Sequence, residues 1–296
     1  MSIRNWNHGW LRAIAAGIAS IALTFTHAGA AWAEEPSVVV DNGDGGIKPP
    51  HCGAQSAQIR VDSYDAEGMS WCFQLIQPAG WISLHATGSY GVVNGLSQPV
   101  RVGVQHSSGR VFWNVVVAPG EVAPVMVGEH ASVVVELATG PLGGASGAST
   151  STVAKGRDVS LRAVSGGGMI ASTWSGVRLR ELDRDSDFPA RVAATWRVLD
   201  ADDSSGCFSF APVGDPDARL QARNGEVSVA VGGDQRAASW CVREGSTPTS
   251  VVMSSRFSPG LALGVDQKRL VLVDQARAAE WFVDQPLVVL GKPRGE

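Results

Sequence analysis

Beyond residue 33 the chain has no unbroken apolar run of the roughly 20 residues that a membrane-spanning helix needs. No histidine follows His130, and His51, His85, His106 and His130 stand on separate strand-like or turn-like segments without an HxH or HExxH arrangement. A zinc site assembled from converging, oriented imidazoles therefore has no sequence signal. None of the four cysteines stands in a CxxC spacing, and no serine occupies a GxSxG elbow. No cofactor-binding motif is present, and no cofactor is expected. Positive charge is scarce as well. The formal net charge of -4 argues against the concentrated basic surface that nonspecific nucleic-acid binding requires, while leaving room for a small basic patch.

What the chain does have begins with an export-type start. Arg4 and Arg12 flank a basic opening, the apolar stretch AIAAGIASIALTF follows, and Ala31-Trp32-Ala33 offers a small-x-small cleavage site. Residues 1–33 are thus expected to be a signal peptide, and the protein to be secreted or extracytoplasmic (periplasm, cell wall or cell surface). An uncleaved anchor is the alternative. Cleavage there removes two arginines and no acid, leaving 263 residues with a formal charge of -6. The four cysteines of an exported chain should pair. Three pairings are formally open, and the local ones, Cys52 with Cys72 and Cys207 with Cys241, suit two separate domains.

Residues 34–51 are acidic and rich in turn formers, and read as a leader that is flexible or only partly docked. Asp41 and Asp44 in its DNGDGG lack the further oxygens of a calcium loop, so the segment reads as a turn. From 52 to 139 short runs such as AQIRVDSY, GWISLHAT, YGVVNG and PVRVGVQ alternate at period two between turn residues. An antiparallel β-sandwich, immunoglobulin-like or similar, is the simplest home for them, with a small barrel as the alternative. His106 to Gly109 reads as a hairpin connection. Residues 140–157, rich in Gly, Ser and Ala, read as a linker.

The second half repeats itself three times, over about 158–200, 207–245 and 250–286. Each unit opens on a strand-like run (DVSLRAV, CFSFAPV, SVVMSSR), passes a turn, and continues as two strands around a polar tip. Each then closes on AATWRVL, AASWCVR or AAEWFVD. Three such units can share one core, with Trp196, Trp240 and Trp281 filling equivalent inner places. That pattern predicts a β-trefoil over 158–288, followed by a tail at 289–296. The predicted fold is therefore all-β, a sandwich followed by a trefoil.

The middle repeat, with Cys207-Phe208-Ser209-Phe210 and Ala238-Ser239-Trp240-Cys241, resembles the arabinofuranose-binding domain at the C-terminus of fungal and bacterial α-L-arabinofuranosidases. The resemblance covers about 155–288 and independently implies a Cys207–Cys241 disulfide. It also implies sugar pockets that use the His of a Tyr-Leu-Arg-His phrase and the Asp of an Asp-Ala-Thr/Ser-Phe phrase. This chain has Arg219-Leu220-Gln221-Ala222 at the first phrase, and Ala193, Ala237 and Ala278 where the Asp would stand. Alanine supplies no hydrogen-bonding group for a hydroxyl.

Substitute ligand residues are then sought at the polar tips. Trp174 sits in a polar turn with no aromatic at the equivalent place in the other repeats. Gln221, Arg223 and Asn224 line the second tip, Asp266, Gln267 and Lys268 the third, and Gln235 lies two residues before Ala237. Trp71, Trp81 and Trp113 are expected in the core of the first domain, with Trp81 a candidate for its rim. Asp183, Asp185 and Asp187 are close in sequence, and glycoside chemistry needs two acids at a suitable separation, but RELDRDSDF reads first as a charged loop. The sequence thus points to a secreted, noncatalytic, lectin-like protein whose partner is a cell-wall or environmental polysaccharide, arabinose-containing polymers among them. The competing readings are a protein-binding module (adhesin, inhibitor or assembly factor) and a glycoside hydrolase or its accessory subunit.

Overall fold

The computed structural model describes residues 38–49, 52–53, 58–141, 152–174, 176–201 and 206–290. The expected signal peptide, the start of the leader, most of the Gly/Ser/Ala-rich segment and residues 291–296 lie outside them. Among the described residues the protein is essentially all-β, with one nine-stranded and one twelve-stranded sheet. No helix among the described residues is long and apolar enough to cross a membrane.

The first half contains β1 (Val39–Gly43), β2 (Ile47–Lys48), β3 (Gln58–Ser63), β4 (Ser70–Leu75) and β5 (Gly80–Asn94). It continues with β6 (Val100–Gln105), β7 (Phe112–Val117), β8 (Val122–Pro124) and β9 (Ser132–Thr139). The first two strands come from the segment expected to be a leader. They pair with β5 and β4.

The runs GWISLHAT and YGVVNG, which read as two strands, are one strand of 15 residues, β5. Its first part pairs with β1 and β9, and its last part with β3 and β8. The partner exchange falls where the register against β9 shifts and Gly88 takes φ +64, a left-handed conformation that suits glycine. Both ladders feed a single core: Ile59, Val61 and Phe73 from one meet Leu84, Val102 and Leu137 from the other. The alternation of QIRVDS matches its burial residue by residue, apolar side chains inward. The turn at His106–Gly109 joins β6 to β7, closed by the Gly109 amide donating to the His106 carbonyl.

The second half begins with β10 (Asp158–Ala163), β11 (Met169–Thr173), β12 (Gly176–Arg180), α1 (Phe188–Ala193) and β13 (Trp196–Asp200). Next come β14 (Phe208–Pro212), β15 (Ala218–Arg223), β16 (Glu226–Val231) and β17 (Trp240–Glu244). Last are β18 (Ser250–Ser255), β19 (Leu261–Asp266), β20 (Arg269–Asp274) and β21 (Trp281–Asp284). The first and last strands of each repeat close a ring, β10-β13-β14-β17-β18-β21 and back to β10. The middle strands of each repeat form a hairpin, and the three hairpins join through β12–β20 and β16–β20. The charged stretch RELDRDSDF runs as a loop from the end of β12 and ends on Phe188, the first residue of the six-residue helix α1, which is too short to show a helical period in sequence and has a proline in its first turn.

Trp196, Trp240 and Trp281 are fully buried in this ring, as their repetition predicted. The Trp196 and Trp240 indoles donate to the Ile170 and Leu220 carbonyls at 2.9 Å. Trp281 has no such partner among the described residues, and the equivalent Leu263 carbonyl accepts the Ala279 amide. W240F strands a buried carbonyl, whereas W281F strands nothing. W240F should therefore lower the unfolding free energy by about 1 kcal/mol more than W281F in urea titrations. Equal losses would show that the indole bond contributes nothing.

Disulfides join Cys52 to Cys72 and Cys207 to Cys241. The two halves also meet through α1. Phe188 lies over Gly103 of β6, where a Cβ would come within 2.8 Å of the ring. Val192, Val135 and Val288 complete this contact.

Candidate functional site

The hairpins carry the residues that sequence reasoning proposed as ligands. Trp174 stands at the β11–β12 tip and is 100% exposed. Thr173 beneath it donates its hydroxyl to the Gly176 carbonyl at 2.7 Å, which holds the turn shut. The second tip is Asn224-Gly225, both at positive φ, the backbone form that Asn-Gly adopts in two-residue hairpins. Arg223 and Asn224 are exposed there, and Asp266 is exposed beside the third tip. Gln267 and Lys268 hold positive φ at that third tip without glycine, a conformation that is strained for both.

Two of the three tips are bonded to a neighbouring hairpin. The Gly225 carbonyl accepts the Leu272 amide, and the Lys268 carbonyl accepts the Leu179 amide. Trp174, Arg223 with Asn224, and Asp266 are therefore carried on successive units. Gln221 differs from its expected place. It is buried in β15, and its amide nitrogen donates to the Ala230 and Gly232 carbonyls at 3.2 and 2.6 Å. Both N–H groups brace the hairpin and are not offered to a ligand. Gln235 lies on a short helical turn, Gln235–Ala238, with its side chain exposed. Ala237 on the same turn is fully buried.

A regularity that sequence reading missed precedes each closing tryptophan. Asp187, Asp234 and Asp274 each stand just before the helical turn of their repeat. Asp234 accepts the Arg236 amide at 2.9 Å, and Asp274 pairs with Arg277 at 3.0 Å. An aspartate a few residues ahead of each closing phrase was the available signal.

Glu280, beside Trp281, clamps the loop between β17 and β18. Its carboxylate accepts the Ser246 and Thr247 amides at 2.9 Å and the hydroxyls of Ser246 and Ser250. These bonds to the charged form, led by the Ser246 and Ser250 hydroxyls, hold the carboxyl well below its ordinary value of 4.5. With the folded pKa depressed, the stabilisation is present at neutral pH and is lost as pH falls below 4.5 towards the folded value. E280Q should therefore lower the urea midpoint at pH 7, and the two proteins should converge in acid. A constant gap across the acid range would assign the effect to packing.

Two concave surfaces lie between the β-rich halves. One, of about 700 Å³, is lined by Asp41, Asn42, Trp81, Arg157, Arg184 and Gln285 among others. Trp81 is half-buried on this wall, at the rim rather than in the core, and its amide donates to Asp44 Oδ1 at 3.1 Å. Asp44 also accepts the Gly46 amide, so it serves the turn read from sequence. The other, of about 960 Å³, is lined by Trp71, His85, His106, Arg110 and Asp217 among others. Here Arg110 pairs with Asp217 across the halves, and His106 Nδ1 lies 2.9 Å from the Ser108 hydroxyl.

No protein-family model matches the chain, and no curated protein matches it. Among solved structures it is similar to a GH54 α-L-arabinofuranosidase soaked with 4-nitrophenyl α-L-arabinofuranoside, at 13% identity and a TM-score of 0.42 over 78% of this chain and 67% of that one. An arabinofuranosidase complexed with arabinofuranosyl-α-1,2-xylobiose is similar at 15% identity and 0.41, over 71% and 52%. A Macrolepiota procera ricin B-like lectin in complex with lactose is similar at 10% and 0.36, over 46% and 100%. The chain thus spans between half and two thirds of these arabinofuranosidases. Such scores describe a distant likeness in shape and carry nothing about activity or ligand.

Proposed function

We propose that the protein is a noncatalytic, exported carbohydrate-binding protein, a β-sandwich followed by a β-trefoil, that holds a cell-wall or environmental polysaccharide. The closed six-stranded ring with its three linked hairpins supports the trefoil reading, and the two ladders sharing one core support the sandwich. The observation that carries the function is Trp174. Three tryptophans of the second half are wholly buried, while this one offers its entire indole at a polar tip. An aromatic face suits the apolar face of a pyranose, and exposing it to water without a ligand has no packing return.

Arabinofuranosyl side chains should bind weakly, because Ala193, Ala237 and Ala278 leave hydroxyls without partners. Retention of the full chain on insoluble arabinan, arabinogalactan and xylan is the direct test. W174A should weaken retention on the favoured polymer by about tenfold, equivalent to 1.4 kcal/mol. No retention on any polysaccharide would overturn the reading.

Protein recognition is favoured by one feature. Among the described residues strand β7 pairs only with β6, leaving an edge with Val116 exposed. Retention of a single protein partner, unaffected by free polysaccharide, would support that alternative.

A further inference from the structure

We infer that the smaller of the two clefts between the halves binds a carboxylated sugar, a uronic-acid unit of an acidic glycan. This site stands apart from the hairpin tips and does not depend on them. The cleft volume of about 700 Å³ lies within the range of small-ligand sites. Four arginines line it: Arg157, Arg184, Arg191 and Arg197. Two of them are neutralised inside the protein. Arg191 holds Glu136 with two bonds, and Arg197 holds Asp158 with two, at 2.9 and 3.1 Å. Arg157 and Arg184 have no ion-pair partner among the described residues. Asp41 lines the same cleft with Glu136 and Asp158, so four guanidiniums stand against three carboxylates, and in a chain with an acidic formal charge this local excess of positive charge marks a preference for an anion.

The shape of that anion follows from the neighbouring groups. The Arg184 guanidinium carbon lies 5.9 Å from the centre of the Trp81 ring, so a fork that can hold a carboxylate stands beside an aromatic wall. The wall is held in place because β5 pairs with β1 and β9 on either side and the Trp81 amide is anchored by Asp44. Asn42 uses its side-chain oxygen to accept the Gly43 amide, which leaves its NH2 group for a hydroxyl. A pyranose carboxylate fits this set: carboxylate on Arg184 or Arg157, ring beside the indole, hydroxyl on Asn42. An inorganic anion would use the charge and leave the indole and the amide without a role.

Titration calorimetry of the full chain near neutral pH, with trigalacturonate against neutral galactotriose, tests the assignment. Trigalacturonate should bind saturably and weaken with added salt. Galactotriose should bind at least about tenfold more weakly. W81A and R184A should each weaken trigalacturonate by about tenfold or more, with R184K intermediate because it keeps the charge and loses the fork. R157E changes a second guanidinium lining the same cleft and should also weaken binding. Far-UV circular dichroism and the thermal midpoint of each variant confirm that its fold survives. Equal affinity for the neutral sugar, binding unchanged in W81A and R184A, or competition by sodium sulfate as effective as by trigalacturonate would each overturn the proposal.

Discussion

Replacing Arg191 with alanine should lower the unfolding free energy by about 3–5 kcal/mol. Arg191 lies on α1 of the second half, and its guanidinium grips Glu136 of β9 in the first half at 3.0 and 2.5 Å. Both side chains are nearly dry, 5% and 6% exposed. The same guanidinium donates to the Ser186 and Leu287 carbonyls at 2.9 and 3.1 Å. Removal of the cation leaves a buried carboxylate with no counter-charge, and that desolvation penalty is the source of the loss. The two-site replacement R191M/E136L removes both charges together and should cost clearly less than R191A alone. Urea unfolding of the three proteins decides it. If the double replacement is as damaging as R191A, the harm lies in the two freed carbonyls and the lost packing against Phe188, and not in the stranded charge.

Removing the second disulfide should have an effect of similar size. C207A/C241A should lose about 3–4 kcal/mol, the chain-entropy expectation for a bridge spanning 34 residues. The loss should also be local. Five residue pairs register β13 with β14, and five register β17 with β18, but the β14–β17 ladder has a single registered pair, Phe208 with Trp240. The Cys207–Cys241 bridge is immediately adjacent to that pair, so it staples the thinnest join in the ring. Amide exchange in C207A/C241A should accelerate first in Phe208–Pro212 and Trp240–Glu244, ahead of the β19–β20 hairpin. Uniform acceleration over the whole second half would mean that the bridge acts only on the unfolded chain.

Much of the second half could be read directly from residues. The closing phrases around Trp196, Trp240 and Trp281 mark three equivalent places, and a large aromatic recurring in such phrases can be accommodated only in a shared core. The tips at Trp174, Asn224-Gly225 and Gln267-Lys268 were legible too, since polar turn residues between alternating runs announce hairpins. Gln221 was misplaced because β15 extends further toward the tip than its composition suggests, and the face on which a residue falls depends on register. In the first half, GWISLHAT and YGVVNG read as two strands because Gly88 looks like a turn, whereas the ladders on either side carry β5 through it.

The sequence alone determined the strand class, the threefold repeat and the three buried tryptophans, because alternation, spacing and turn chemistry act over a few residues at a time; it favoured the local cysteine pairing, which the structure shows. Only the tertiary structure decided how the halves fasten and what lies between them. Arg191 and Glu136 are 55 residues apart, and neither carries a local mark of its partner. Gly103 reads as one more strand residue until Phe188 is seen to lie over it. Trp81 could be core or rim until β1 and the β-rich second half leave its indole on the wall of a cleft lined with guanidinium groups. Charge pairing and cavity shape depend on distances between segments that meet only after folding, and sequence spacing does not encode those distances.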